Sequence, residues 1–174
     1  MITETDTLDQ MPVKVWRDLT QAKLDDAYDQ TKYAPNMQQV LARFASNSEA
    51  ARTRLGNPRR FSYGPTAIET FDLYSAGRSA AVVVIYVHGG AWRVGAAKNH
   101  AYAAELFVRA GCHFAVLDFV NVVDAGGNLA VMADQVRRAA AWIYENAPKF
   151  AACASPVPLL YATRLSRPLS FDRA

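Results

Sequence analysis

Residues 82–95 read VVVIYVHGGAWRVG and join a continuously apolar run to a histidine and two adjacent glycines. The β-branched residues of the segment 80–87 are typical of a strand buried on both faces, as in a parallel sheet that helices cover. The run ends at His88-Gly89-Gly90, where two residues without side chains follow one another. Such an ending is either an ordinary turn or a place where backbone N–H groups face a ligand.

Downstream of this stretch, the hydrophobic pattern alternates between helix and strand. Asn99 is predicted to cap a helix that stops at Gly111, and its apolar side consists of Tyr102, Leu106, Phe107 and Ala110. A second buried strand, CHFAVLDFV, spans residues 112–120. A second helix is predicted from residue 128 to Pro148, with apolar residues at spacings of three and four: Leu129, Met132, Val136, Ala139, Ala140 and Ile143. This order predicts an α/β fold with a doubly wound, mostly parallel sheet and helices on both faces.

The residues before this unit predict two further parts. The first 60 residues carry helix formers, and one apolar stripe, expected to cover the core, is formed by Met37, Val40, Leu41 and Phe44. Residues 59–77 alternate at Ile68, Phe71 and Leu73 between turn-forming residues, which predicts an edge strand or a hairpin.

Composition limits the class of protein. The chain has 174 residues, of which 51% are hydrophobic and 20% charged, so it can form one sizeable core. The net charge of +3 includes no run of five Lys or Arg residues, which argues against nucleic acid or a membrane surface as partner. The longest apolar run is too short to span a bilayer, and the polar N-terminus predicts a cytoplasmic protein. Cys112 and Cys153 lie in no metal-binding pattern, so neither a metal nor another cofactor is expected.

The segment His88-Gly89-Gly90-Ala91-Trp92 resembles the HGGxW oxyanion motif of α/β-hydrolases of the kynurenine formamidase and esterase/lipase type. The resemblance extends to Tyr63-Gly64 with the segment 69–74, and to the helix DQVRRAAAWIYENAPKF, residues 134–150. It covers the chain from about Ala27 to Phe150. It implies that the N–H groups of Gly89 and Gly90 stabilise an oxyanion, and that His88 and Trp92 hold the loop by hydrogen bonding and packing.

The family mechanism requires a serine nucleophile in a G-x-S-x-G turn, followed along the chain by an acid and a histidine. No glycine occurs after Gly127, and all three histidines precede residue 114. If the segment VPLLYAT is the next strand, Ser166 falls near the nucleophile position, but its neighbours are bulky and only Asp172 follows it. The sequence therefore predicts no working catalytic triad, with Ser166 as the one candidate nucleophile.

The composition changes after Phe150, where Ala, Pro, Leu, Arg and Ser dominate, as in a GC-rich gene read out of frame. We therefore interpret residues 1–150 as the N-terminal portion of an α/β-hydrolase domain, with a helical start, and residues 151–174 as an atypical tail. A short relative with a different C-terminus is the alternative interpretation. Two functions stay open: a hydrolase of small ester or amide substrates, including arylformamides, or a binding module that keeps the oxyanion loop without turnover. An exposed sheet edge would favour self-association.

Overall fold

The computed structural model describes residues 13–150 and the backbone of residues 159–162. The chain divides into two compact units, residues 1–41 and 42–174. In the first unit, β1 (Lys14–Trp16) pairs antiparallel with β2 (Leu19–Thr20). Helix α1 (Gln21–Tyr28) follows directly, because the Thr20 side chain accepts a hydrogen bond from the Lys23 amide and caps the helix. A turn of 3₁₀ helix, Gln30–Lys32, precedes α2.

Helix α2 (Met37–Leu55) begins in the first unit and ends in the second. The second unit contains the hairpin strands β3 (Arg59–Ser62) and β4 (Thr70–Tyr74), then β5 (Val83–Val87), α3 (Ala104–Arg109) and β6 (His113–Leu117). Helix α4 (Leu129–Glu145) and β7 (Leu159–Ala162) complete it. Three 3₁₀ turns, Ala97–Asn99, Ala101–Ala103 and Ala147–Phe150, lie beside α3 and α4.

The described strands of the second unit form one five-stranded sheet in the order β3-β4-β6-β5-β7. Strand β5 is parallel to both of its neighbours, whereas β4 pairs antiparallel with β3 and with β6. The sheet is therefore mixed, and the expectation of a mostly parallel sheet was wrong for these strands. The hairpin explains the difference, since β3 and β4 are joined by a short turn and must run antiparallel.

The two faces of this sheet carry separate hydrophobic clusters. On one face Leu73, Ile85 and Leu117 pack with Ala139 and Ile143 of α4. On the other face, side chains of β5 and β6 pack with those of α3 and the 3₁₀ turns before it: Val84, Tyr86, Phe114, Val116, Ala97, Ala101 and Ala104. Strand β6 is buried along its whole length and β5 along all but its last residue, as the apolar runs predict. Helices cover both faces, as expected from the strand-helix alternation.

The helix predicted to start at Asn99 was wrong in its boundary. Asn99 ends a 3₁₀ turn, and α3 begins at Ala104 without a side-chain cap. Side chains of other elements bind amides of the two 3₁₀ turns before α3: the Ala97 N–H donates to Asp118, and the Tyr102 N–H donates to Ser48. A local capping signal was therefore unnecessary.

Several side chains of the predicted apolar stripes are exposed. Leu106 of α3 and Leu129 of α4 face solvent, because alanines of the 97–104 segment and Ala139 and Ile143 of α4 pack against the sheet. In α2, Leu41 is exposed, Phe44 is half-buried, and Ser48 and Ala51 are the fully buried residues. Ile68 lies in the hairpin turn rather than in β4.

The strand considered for the segment VPLLYAT is confirmed, since β7 (Leu159–Ala162) pairs in parallel with Val84–Val87 of β5. Ser166 and the rest of the tail, 151–158 and 163–174, lie outside the described residues. No helix within the described residues is long and apolar enough to cross a bilayer.

Candidate functional site

A crevice is expected where neighbouring parallel strands send their connections to opposite faces of the sheet. The chain leaves β5 towards α3, which packs on one face, and leaves β6 towards α4, which packs on the other. The carboxyl ends of these adjacent strands are followed by the loops that begin at His88 and at Asp118. The sequence motif thus lies at the point of the sheet where such folds bind ligands.

The loop after β5 is a closed turn centred on Gly90. The Gly90 carbonyl accepts hydrogen bonds from the amides of Arg93 (3.0 Å) and Val94 (3.1 Å). Gly90 has φ +144°, and a Cβ at this position would lie 1.7 Å from the carbonyl oxygen of Val94. Glycine is therefore required at residue 90 by the turn itself, whether or not a ligand binds there.

Ala91 and Trp92 follow with φ angles of 53° and 65°, in the left-handed region that side chains disfavour. Each such residue costs about 1–3 kcal/mol, and it persists because the surrounding structure determines it. Backbone strain of this kind concentrates at functional sites. Two consecutive strained residues beside Gly90 therefore single out this loop as the candidate site.

Backbone donors remain available in the loop. Within the described residues, the N–H groups of Gly90 and Ala91 donate to no hydrogen bond. Gly90 is half-buried and Ala91 is exposed, so water or a ligand can reach both groups. An oxyanion is the ligand that adjacent, fixed amide donors stabilise best.

His88 forms the floor of the loop. Its ring is buried and lies parallel to the rings of Phe119 (centroids 4.6 Å apart) and His100 (5.0 Å). Nδ1 lies 3.1 Å from the Gly89 carbonyl oxygen, a contact that places the ring proton on Nδ1. Gly95 closes the loop over this ring, because a Cβ there would lie 2.4 Å from Nδ1.

The two stacked histidines are neutral at pH 7. Burial lowers the pKa of His88, and it lowers the pKa of His100 to about 4, with the neighbouring His88 adding to the effect. Within the described residues, His88 Nε2 and His100 Nδ1 have no hydrogen-bond partner. Neither ring is hydrogen-bonded to a serine there, so the pair supports the loop rather than activating a nucleophile.

The sequence prediction missed the role of Asp118. This buried carboxylate accepts a hydrogen bond from the Ala97 amide at 2.7 Å and forms an ion pair with Arg60 of β3 at 2.5 Å. Arg60 also pairs with Asp72 of β4 at 2.7 Å. A charged residue inside the apolar segment CHFAVLDFV was the available signal, because a buried charge requires partners.

Trp92 contributes to the loop through its backbone. Its carbonyl accepts a hydrogen bond from the Val122 amide at 2.7 Å, which joins the loops that follow β5 and β6. The ring is 61% exposed, so the packing role that the resemblance implied is not seen in the described residues. The exposed side chains of Trp92, Val94 and Val123 instead give the loops an apolar rim.

The described residues bring together the motif His88-Gly89-Gly90-Ala91-Trp92, but no Ser-His-Asp arrangement is found among them. The candidate nucleophile Ser166 lies outside the described residues. In the part of the chain that the structure describes, no group of three or more His, Cys, Asp or Glu side chains is placed to hold a metal ion.

No family model and no curated protein matches the sequence. Similar solved structures include a candidate thioesterase from a Silicibacter species, with a TM-score of 0.68 and 21% identity over 80% of this chain. The esterase LipW from Mycobacterium marinum has a TM-score of 0.56 and 17% identity over 74%. The thermophilic esterase Est2 from Thermogutta terrifontis has a TM-score of 0.54 and 13% identity over 62%.

These likenesses define the fold. The described residues share their α/β fold with these three solved structures. The matched regions correspond to 51%, 40% and 40% of the three solved chains, so this chain spans about half of their length or less.

Proposed function

We propose that the loop from His88 to Gly95 is the oxyanion hole of a serine-type ester or amide hydrolase, with the N–H groups of Gly89 and Gly90 as donors. The observation that carries the proposal is the strained turn at the carboxyl end of β5, in which the Gly90 amide has no partner among the described residues. Small carboxylic esters and arylformamide-like amides are the proposed substrate class. His88 and Ala91 support these donors through the floor and the turn of the loop, and the Ala91 N–H, which has no partner among the described residues, is a third donor of the proposed hole.

In the proposed mechanism, the substrate carbonyl oxygen lies against these amides and gains negative charge when a nucleophile attacks the carbonyl carbon. Donors that are already fixed stabilise this charge without reorganisation, and each typically contributes about 10²–10³ in rate. Acyl transfer also needs a serine and a histidine base. The buried rings of His88 and His100 stack on each other, and that of His88 also on Phe119, with no hydrogen bond to a serine among the described residues, so they do not provide that base. Turnover therefore depends on groups outside the described residues.

The second candidate function is a binding module that retains the oxyanion loop without catalysis. The sequence favours it in one respect, because no G-x-S-x-G segment follows the motif strand. We propose that the 174-residue chain has no measurable turnover.

We also propose that residues 1–150 are the N-terminal portion of a hydrolase domain and that residues 151–174 are an atypical tail. A search of the neighbouring reading frames tests the last point: it fails if no frame beyond codon 150 encodes G-x-S-x-G followed by Asp and His.

Binding of a tetrahedral oxyanion tests the loop directly. Phenylphosphonate, titrated into the ¹⁵N-labelled chain, is expected to shift the amide resonances of Gly89, Gly90 and Ala91 more than those of any strand residue. A substitution of Gly90 cannot test the oxyanion role, because any new side chain would displace Val94 and disturb the fold. Absence of any loop shift at saturating phenylphosphonate would contradict the oxyanion proposal.

An activated ester and a fluorophosphonate probe then separate the two functions. We expect no hydrolysis of p-nitrophenyl acetate above that of heat-denatured chain, and no serine labelled by the probe. Labelling of Ser166, with turnover lost in Ser166→Ala, would show that the chain is an active hydrolase by itself and would contradict the proposed inactivity.

A further inference from the structure

Asp118 joins three elements of the second unit. It follows β6 directly, and one carboxylate oxygen accepts the Ala97 amide at 2.7 Å, while the other contacts Arg60 of β3 at 2.5 Å. Its backbone carbonyl accepts the Tyr63 hydroxyl at 2.7 Å. The side chain is 8% exposed, so these contacts replace nearly all of its hydration.

Ala97 begins the 3₁₀ turn that follows the oxyanion loop, His88–Gly95, and packs against the sheet. The loop leaves β5 at His88, and hydrogen bonds join the loop and the turn after it to the segment after β6: Val122 N–H to the Trp92 carbonyl, and Ala97 N–H to Asp118. The first bond joins two exposed loops. The second is buried and charge-assisted, which makes it the stronger connection.

The strained backbone of the loop makes such a connection necessary. Ala91 and Trp92 would relax out of the left-handed region if both ends of the loop were free to move. A fixed Ala97 holds the end of the loop and thereby the direction of the Gly90 amide. Arg60, which Asp72 also contacts, binds one Asp118 carboxylate oxygen and so orients the other oxygen towards the Ala97 amide.

We propose that Asp118 is a positioning residue for the oxyanion loop and acts through its hydrogen bond to the Ala97 amide. Its place in a reaction rests on the proposed function, whereas its hold on the loop does not. Asp118 touches neither substrate nor the reacting atoms. Its effect is to keep the backbone donors of residues 89–91 in one arrangement.

Amide hydrogen exchange of the full 174-residue chain tests this inference without any substrate. The Arg93, Val94 and Val122 amides report closure of the loop, because each donates a hydrogen bond within it or to it. Asp118→Ala is expected to raise their exchange rates about tenfold or more relative to amides of β5 and β6, since a bond to a charged group is lost. Asp72→Ala is the matched control: it also removes a partner of Arg60, but it leaves Ala97 bonded.

The conservative variant separates positioning from mere stability. Asp118→Asn keeps an acceptor for Ala97, so its loop amides are expected to exchange within about threefold of the wild type. A uniform rise of all amides in Asp118→Ala would overturn the proposal, as would an equal loop effect in Asp72→Ala or Asp118→Asn.

If Asp118→Ala does not fold, the wild-type chain decides. One opening of the loop then exposes Ala97 together with Arg93, Val94 and Val122, so all four amides should exchange at matching rates. An Ala97 amide that exchanges more than about tenfold faster than the others would overturn the proposal. If the exchange pattern is as expected but phenylphosphonate does not bind, the proposed function is refuted, while the role of Asp118 in holding the loop stands.

Discussion

Acidification is expected to destabilise the protein through His100, whose ring is enclosed by aromatic neighbours. The rings of His88, Tyr86 and Tyr102 lie with centroids 5.0, 5.7 and 6.0 Å from it. Burial, followed by the proximity of His88, lowers the pKa of His100 to about 4, while Asp118 acts weakly in the opposite direction. The unfolded chain binds a proton on this residue near its ordinary value of about 6.5.

The sign and size of the effect follow from this difference. A depressed histidine pKa means that the unfolded state takes up the proton first, so stability is complete above pH ~6.5 and is lost as the pH falls towards ~4. The shift from 6.5 to about 4 corresponds to ~3 kcal/mol at ~1.4 kcal/mol per unit. That loss is a large part of the ~5–15 kcal/mol by which domains are stable.

Urea denaturation at a series of pH values measures this loss. The matched control is His100→Phe, which keeps an aromatic ring among aromatic neighbours and cannot titrate. The wild type is expected to lose ~3 kcal/mol more than the variant between pH ~7 and ~4, and the variant keeps the smaller contribution of His88. Equal pH dependence in the two proteins would refute the assignment of the effect to His100.

Gly90→Ala is expected to lower the free energy of unfolding by ~3 kcal/mol, because the new Cβ would lie 1.7 Å from the Val94 carbonyl oxygen. The control Gly77→Ala is also at positive φ, but a Cβ there would have no atom within 4 Å, so it should cost only ~1 kcal/mol. Similar losses in urea melts of both variants would contradict the steric argument. Glu69→Gln should lower the free energy of unfolding by ~1–3 kcal/mol, since this buried carboxylate pairs with Arg138 of α4. Asp134 pairs with the same arginine but is half-exposed, so Asp134→Asn should cost under ~1 kcal/mol. Self-association is expected from the apolar rim of the loops and the edge strand β3, and sedimentation velocity that shows a concentration-independent monomer would speak against it.

The sequence predicted those elements whose burial shows in the pattern of neighbouring residues. The apolar runs before His88 and around Val116 predicted the two central strands, because a strand covered on both faces leaves no polar alternation. The helix after Asn128 was also predictable, since the asparagine caps it by accepting the Ala130 amide.

Long-range pairing could not be predicted from these patterns. The antiparallel contact of β4 with β6 joins residues at least 40 positions apart, such as Phe71 and Leu117, and no local signal specifies it. The hydrogen bond between Ala97 and Asp118 was not predicted, for the same reason. The motif at His88 was recognisable, but the hydrogen bond that links the turn after it to a carboxylate 30 positions after His88 forms only in the folded sheet.

The strand order also bears on how the chain folds as it is synthesised. Strand β5 lies between two other strands, yet both of them come later in the chain: β6 begins at His113 and β7 at Leu159. A nascent chain that ends before β6 can form only the β3–β4 hairpin, so the apolar surface of β5 has no strand beside it. At ~5–20 residues per second, the roughly 40 residues from β6 to β7 add a further delay on the order of 2–8 s before its second edge is paired. Chaperone binding during synthesis should therefore centre on residues 82–87, and ribosome profiling of chaperone-bound nascent chains can detect it.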